Sequence, residues 1–272
     1  MRNRKSIANR FAGKVAIVTG GSSGIGKAIV EELCKEGARV AFTGLSELGV
    51  SVAKQLTESC HEVLFFRGDM AIEQFCRDVV KQTLAKWGKV NYLVNNAFSF
   101  LAKGLESTKE DWERILHAGP IAYAVMTQEV VPSMKEQGGG SIVNMSSISA
   151  FIAQPDRWTY NAAKGAVHTL TKCMALDLAP FGIRVNSVSP GWIWTREVDK
   201  AAGGDRARWE PVWGQFHMLE RCGEPVECAG PVLFLLSDDA SFVTAVDLPI
   251  DGGYQGLGSE ALGRSTTFAG TR

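Results

Sequence analysis

The strongest constraint on the fold is an alternation that runs along most of the chain. Short apolar, β-branched runs are separated by segments whose apolar residues recur at helical spacing. The strand-like runs are KVAIVTG (14–20), ARVAFTG (38–44), HEVLFFRGD (61–69), KVNYLVNNA (89–97), GSIVNMSS (140–147), IRVNSVSPG (183–191) and AVDLPIDGG (245–253). Between them lie GIGKAIVEELCKEG (24–37), closed by Gly37, then LGVSVAKQLTESC (48–60), IEQFCRDVVKQTLAKWG (72–88), WTYNAAKGAVHTLTKCMALDLAPFG (158–182) and PVECAGPVLFLLS (225–237). Strands that alternate with helices imply right-handed crossovers and a parallel sheet. Strands that are apolar nearly throughout imply burial on both faces. The expectation is an α/β fold: a doubly wound, seven-stranded parallel sheet with helices on both sides. No polar linker divides the chain, so residues 1–272 read as one domain, with an N-terminal arm (1–12), an irregular segment (192–218) and a C-terminal tail (255–272).

Charge and reactive residues narrow the function. Lys+Arg and Asp+Glu both number 29, so the formal net charge is zero, and a nucleic-acid partner is not expected. The basic start, MRNRKSIANR, reads as a solvated arm. No apolar run follows it that would make a secretory leader, and no stretch reaches bilayer length. The six cysteines (34, 60, 76, 173, 222, 228) form no CxxC pair and the four histidines do not cluster. Reduced thiols, no metal site, no membrane and a cytoplasmic location are the expectations.

Two motifs carry chemistry. TGGSSGIG (19–26) follows a strand and opens a helix, the context of a nucleotide phosphate site. Gly20 and Gly24 permit a tight turn and close backbone approach, Gly26 lets the helix pack near the strand, and the helix start offers N–H groups to a pyrophosphate. In YNAAK, Tyr160 and Lys164 lie four apart and share a helix face. An ammonium near a phenol favours phenolate and lowers its pKa, giving a proton donor and acceptor for an alcohol/ketone pair. Ser147 ends the fifth strand, where turns of a parallel sheet gather ligands.

Together these pieces resemble the short-chain dehydrogenase/reductase family in its single-domain Rossmann-type form. The resemblance runs from Gly13 to about Tyr254 and rests on TGGSSGIG, Asp69, NNA (95–97), NMSS (144–147), YNAAK (160–164), RVNSVSPGWIWT (184–195) and IDGGY (250–254). It implies an NAD(P)-dependent oxidoreductase that interconverts a secondary alcohol and a ketone. Tyr160 would be the general acid/base. Lys164 would lower its pKa and hold the nicotinamide ribose, and Ser147 would bond the substrate oxygen. The cofactor-binding set implied is Gly20, Ser22, Ser23, Gly24, Ile25, Gly26, Leu45, Ser46, Asp69, Met70, Asn96, Ala97, Tyr160, Lys164, Pro190, Gly191, Ile193 and Thr195, with Asn95 touching the cofactor or its strand. Members usually pair through two long helices, here near 108–136 and 158–180, so a homodimer or homotetramer is implied.

Three positions depart from the family pattern. Gly44 stands where an acid would read NAD, and Leu45 and Ser23 where cations would read NADP. Loss of the acid removes repulsion toward a 2′-phosphate, and Thr43 and Ser46 can bond one, so the cofactor reads as NADP or NAD with a lean to NADP. Phe98 replaces the glycine of NNAG, and its ring either lines the substrate cavity or turns into the core. In LHAGPIAYA (116–124), Gly119 replaces the family's catalytic asparagine, and Pro120 lacks an N–H. One helix kinked at Gly119–Pro120, with a freed Leu116 carbonyl seating the relay water, is the expectation.

The segment 192–218 corresponds to the family's substrate-covering loop. Trp158, Trp192, Trp194, Trp209 and Trp213 fall in or near it, with Arg196, Arg206 and Arg208. Aromatic faces suit a sugar ring and arginine suits a carboxylate; the same tryptophans also suit packing of the lid. The substrate residues are taken as Phe98, Ser149, Gln154, Trp192, Arg196 and Trp209, and the small-molecule substrate as a sugar acid, sugar or polyol. An apolar steroid or fatty acyl substrate, or a weakly catalytic cofactor-binding relative lacking the asparagine, are the alternatives.

Overall fold

The computed structural model describes residues 4–258. Seven strands form one sheet in the order β3-β2-β1-β4-β5-β6-β7, and every neighbouring pair is parallel. They are β1 (Val15–Val18), β2 (Arg39–Gly44), β3 (Val63–Arg67), β4 (Tyr92–Asn95), β5 (Gly140–Met145), β6 (Ile183–Pro190) and β7 (Asp247–Ile250). The strand order reverses between β1 and β4. That reversal opens a crevice at the carboxyl ends of the strands, the place where such sheets bind ligands.

The helices cover both faces, as the expected doubly wound sheet requires. On one side α1 (Gly24–Lys35) and α9 (Pro225–Leu236) pack through Ile29, Leu33, Val232 and Leu236. On the other, α3 (Glu73–Trp87), α5 (Ala122–Glu136) and α6 (Trp158–Leu178) bury Val79, Val80, Met126, Val130 and Met174 against Ile17, Leu93 and Ile142. The α2 helix (Leu48–Glu58) joins β2 to β3. Residues 192–218 hold two short helices, α7 (Arg196–Ala201) and α8 (Arg206–Gly214).

The glycine–proline break lies inside one continuous helical path. A capping box on Thr108 and Asp111 starts α4 (Lys109–Leu116), a single π-helical turn spans His117–Ile121, and α5 continues from Ala122. The turn accommodates Pro120: Ala122 N–H reaches the His117 carbonyl, five residues back. Gly119 departs from helical geometry (φ −115, ψ −112) and is buried. π-turns of this kind recur at functional sites.

One sequence expectation is corrected. The basic start is not a solvated arm over its described part, because α1 and the residue after it present buried acids to it. Arg4 pairs with Glu32 and Glu36, each at 2.6 Å, and Arg10 pairs with Glu36 at 2.6 Å. Phe11 is fully buried and meets the Tyr92 ring edge-on at 5.5 Å. The tail beyond residue 258 lies outside the described residues.

Candidate active site

The glycine-rich turn is shaped by contacts that exclude side chains. A Cβ on Gly26 would lie 2.2 Å from the Gly20 carbonyl oxygen and 2.4 Å from Asn96 Nδ2. Asn96 in turn donates to the Thr19 and Gly20 carbonyls at 2.9 and 3.2 Å, while Thr19 Oγ1 accepts from the Asn96 and Ala97 N–H groups. The β1 and β4 ends are thereby tied together. Ser23 begins α1 with no side-chain cap, so the first-turn N–H groups point outward undirected by any side chain, a fit for phosphate. Thr195 faces the Gly24 position from across the cleft: a Cβ there would lie 3.4 Å from Thr195 Cγ2. Ile25 packs against the core beside this turn.

Other expected cofactor contacts fall into distinct places. Asp69 lies after β3, where Arg114 bonds it at 2.6 Å and Ala71 N–H at 2.9 Å. Burial pushes its pKa up, but those bonds outweigh burial and hold the carboxyl below its ordinary value. The Met70 side chain is buried in the core, with its sulfur accepting from Thr43, so only its backbone can face a ligand. Asn95 is a strand residue, donating to Asn144 Oδ1 at 2.9 Å. At the β6 end, Ile193 is buried and bridges to Gly223, and Thr195 caps α7. His217 accepts the Trp192 N–H at 3.2 Å and fixes the backbone beyond Pro190 and Gly191. A cavity of about 450 Å³ opens there, bounded by Gly191, Trp192, Ile193, His217 and Asp251.

The absent acid after β2 has a steric reason. A Cβ on Gly44 would lie 2.4 Å from Ser22 Oγ, so an aspartate there would collide with the first turn. Leu45 is exposed. A cation does stand nearby, and sequence reasoning missed it. Arg67, the last residue of β3, sits in register with Gly44, donates to the Leu45 carbonyl at 3.2 Å and pairs with Glu47. Strand register alone would have revealed it.

Ser147, Tyr160 and Lys164 come together at the end of β5 and the start of α6. Ser147 follows β5 and accepts from Ser149 N–H at 3.1 Å. Burial raises the Tyr160 pKa, and the neighbouring Ser147 hydroxyl and the Arg157 charge only partly offset it. Lys164, four residues on, has its Nζ 5.7 Å from the centre of the Tyr160 ring. The lysine is itself buried, with no ion-pair partner among the described residues, and desolvation lowers its pKa to about 7. Its Nζ donates to the Met145 carbonyl at 2.8 Å and sits 3.6 Å from the centre of the Phe98 ring.

Aromatic rings surround the phenol. Phe98 meets Tyr160 edge-on at 5.6 Å and Phe100 lies at 4.9 Å. Arg157 lies 5.6 Å from the Phe100 ring centre and 5.8 Å from that of Trp192. Phe100 and Arg157 were not singled out as substrate residues from the sequence. Several residues that were singled out are engaged elsewhere. Gln154 accepts from Ser149 at 2.6 Å. Trp213 stacks between Trp192 and Trp209 at 4.9 and 5.3 Å, and Arg206 pairs with Glu210 and Glu224. The tryptophans thus pack the covering segment itself, and Arg196 opens α7 beside them.

Comparisons with known proteins agree with this arrangement. A family model described as enoyl-(acyl carrier protein) reductase matches residues 20–255. A cyclopentanol dehydrogenase from Comamonas sp. (strain NCIMB 9872) is 37% identical over 250 residues, covering 90% of this chain and 98% of that protein. An NADP-dependent (R)-specific alcohol dehydrogenase from Lentilactobacillus kefiri is 36% identical over 253 residues, covering 91% of this chain and 99% of its own length. The crystal structure of levodione reductase superposes with a TM-score of 0.85 at 30% identity, over 91% of this chain and 100% of that one.

Proposed function

The chain belongs to the short-chain dehydrogenase/reductase family and is an NAD(P)-dependent oxidoreductase of the secondary alcohol/ketone type, and from that premise we propose that its substrate is a compact carbocyclic ketone or the matching alcohol. The observation that carries this reading is the pair of rings, Phe98 and Phe100, set against Tyr160. They set apolar surface against the Tyr160 ring, while the polar pair Ser149 and Gln154 is bonded to itself. A site that offers no polar partners desolvates sugar hydroxyls at a cost of about 1–3 kcal/mol each. The relative named for cyclopentanol supports a ring substrate of this size. This departs from the sugar-acid expectation, whose polar and tryptophan residues are engaged with one another.

In this reading Ser147 donates to the substrate oxygen and stabilises charge developing on it. Tyr160, beside Ser147, gives its proton to that oxygen in reduction and takes it back in oxidation. Lys164 holds positive charge beside the phenol and steadies its phenolate form. A nicotinamide dinucleotide, when bound, supplies the hydride chemistry. The Gly20–Gly26 turn and the start of α1 would hold its pyrophosphate, and Ser22, Ser46 and Arg67 the adenosine end. Arg67 supports NADP: it pairs in register with Gly44 and bonds the Leu45 carbonyl, and a guanidinium there would suit a 2′-phosphate.

The test is a panel of cycloalkanones, sugars, sugar acids and steroid ketones assayed by nicotinamide absorbance. Cyclopentanone or cyclohexanone should exceed every sugar acid at least tenfold in kcat/KM. Tyr160→Phe should lower kcat by about 10²–10⁴. Preferred turnover of a sugar acid would reject the substrate class, and full activity in Tyr160→Phe would reject the mechanism.

A further inference from the structure

Two departures from the family pattern, twenty-one residues apart, meet in space. The Phe98 ring occupies the volume that a side chain at 119 would need: a Cβ on Gly119 would lie 2.5 Å from Phe98 Cε2 and 3.0 Å from Cζ. The same ring has the Lys164 ammonium 3.6 Å from its centre, within the range of a strong ring–cation contact. Tyr123 of α5 backs the ring at 6.4 Å, and Tyr160 flanks it at 5.6 Å. Lys164 has one hydrogen-bond acceptor, the Met145 carbonyl, among the described residues.

We propose that Phe98 is a positioning residue of the active site, which uses the space left open by Gly119 to hold the Lys164 ammonium with its ring face. The ring does for the lysine what an ion pair does elsewhere: it favours the charged form and fixes its direction while keeping the site dry. Gly119 is then required by size, since any larger residue displaces the ring. The reading that Lys164 supports Tyr160 underlies the catalytic part of this inference, but the contact itself does not depend on it.

The titratable surroundings leave the ring and the Met145 carbonyl as the neighbours that favour the charge. Tyr160 lies on the same helix, and Tyr123 on α5 is fully buried and held neutral. Arg157 precedes α6 and bears on Tyr160. The α4 helix turns Asp111 to Lys103 and Arg114 to Asp69, and His117 of the π-turn is exposed. The ends of β4 and β5 bring Asn95, Asn144, Ser146 and Ser147, none of them charged.

The experiment measures stability against pH by urea unfolding from pH 5 to 10, which needs no substrate. A lysine of depressed pKa makes stability rise with pH above that value. In Phe98→Leu, which fills the space without a ring face, the rise should begin about one pH unit lower than in the wild type, the shift an ordinary ring–cation contact gives. In Phe98→Tyr it should begin where it does in the wild type. Gly119→Ala should destabilise the protein in the wild-type background and cost markedly less alongside Phe98→Ala, a coupling that only direct contact produces. Where turnover is measured, Phe98→Leu should also lower kcat at least tenfold, with its alkaline limb moved to lower pH. An unshifted onset in Phe98→Leu, or additive effects of the 98 and 119 changes, would overturn the proposal. Loss of turnover in the wild type with the shift and coupling intact would instead count against the assigned reaction and leave the positioning role standing.

Discussion

Lys164 is the residue at which burial and chemistry conflict most directly. Its amine titrates near pH 7 in the folded chain because burial disfavours the charged form, whereas the unfolded chain keeps an ordinary lysine near 10.5. Below pH 7 both states carry the proton, and the full cost of the buried charge is present. Between pH 7 and 10.5 the unfolded state binds more protons, so the unfolding free energy rises with pH. Relative to Lys164→Met, the wild type should gain about 2–3 kcal/mol from pH 7 to pH 9 in urea unfolding, and a constant difference between the two would contradict the assignment. Arg67 makes a separate prediction at this scale. It bonds the Leu45 carbonyl from the neighbouring strand and pairs with the exposed Glu47. Titration of the protein with NADPH and NADH should show tighter NADPH binding, and Arg67→Ala should weaken NADPH roughly tenfold while leaving NADH within twofold. Equal weakening of both would remove the 2′-phosphate role. The difference in legibility between these two residues is instructive. Lys164 could be found because its partner is four positions away on one helix. Arg67 could not, because it reaches Gly44 only through pairing of β2 with β3, which the sequence does not state.

The same distinction holds between elements. All seven strands were readable as apolar runs, the five inner ones because burial on both faces forces them, and the helices between them implied a parallel sheet, but its order was not legible. The glycine–proline pair was legible as an interruption within a single helix, since a proline removes one N–H and leaves the remaining turns able to form. The form of that interruption, a π-turn over His117–Ile121 with Gly119 outside helical angles, depends on what packs against it. The occupant is Phe98, carried on the loop after β4, and no local pattern links positions 98 and 119. Both were visible as unusual residues; that one fills the space of the other is a packing fact. The segment 192–218 failed for a related reason. A row of tryptophans and arginines reads equally as a ligand surface or as a self-packed lid, and stacking of Trp192, Trp209 and Trp213 selects the second. Which faces remain free is decided by partners within the segment, not by its composition.

Across the whole molecule, the two ends of the sheet divide stability from chemistry. The carboxyl ends of the strands gather the glycine turn, Ser147, Tyr160 and Lys164, and the amino ends receive the N-terminal arm. That arm looked like a solvated run because its arginines lie far in sequence from the acids that bind them. Glu36 is fully buried, accepts from Ile7 N–H at 3.0 Å and pairs with both Arg4 and Arg10. Removing one partner of a buried pair leaves the other charges desolvated without compensation. Glu36→Ala should therefore destabilise the fold by about 3 kcal/mol in urea unfolding and make Arg4 and Arg10 accessible to trypsin. The neighbouring Phe11 would lose the hydrogen bond from its N–H to the Glu36 carbonyl only if α1 frayed, since that carbonyl survives the substitution. The arm should thus loosen at its arginines while Phe11 stays packed on Tyr92. Because the altered contacts lie at the amino ends of the strands, kcat and cofactor binding should stay within twofold of the wild type at temperatures where the variant is folded. A large drop in kcat with unchanged stability would mean that the arm acts on the site through α1, whose first turn follows the glycine-rich loop while its last turn carries Glu32 and precedes Glu36.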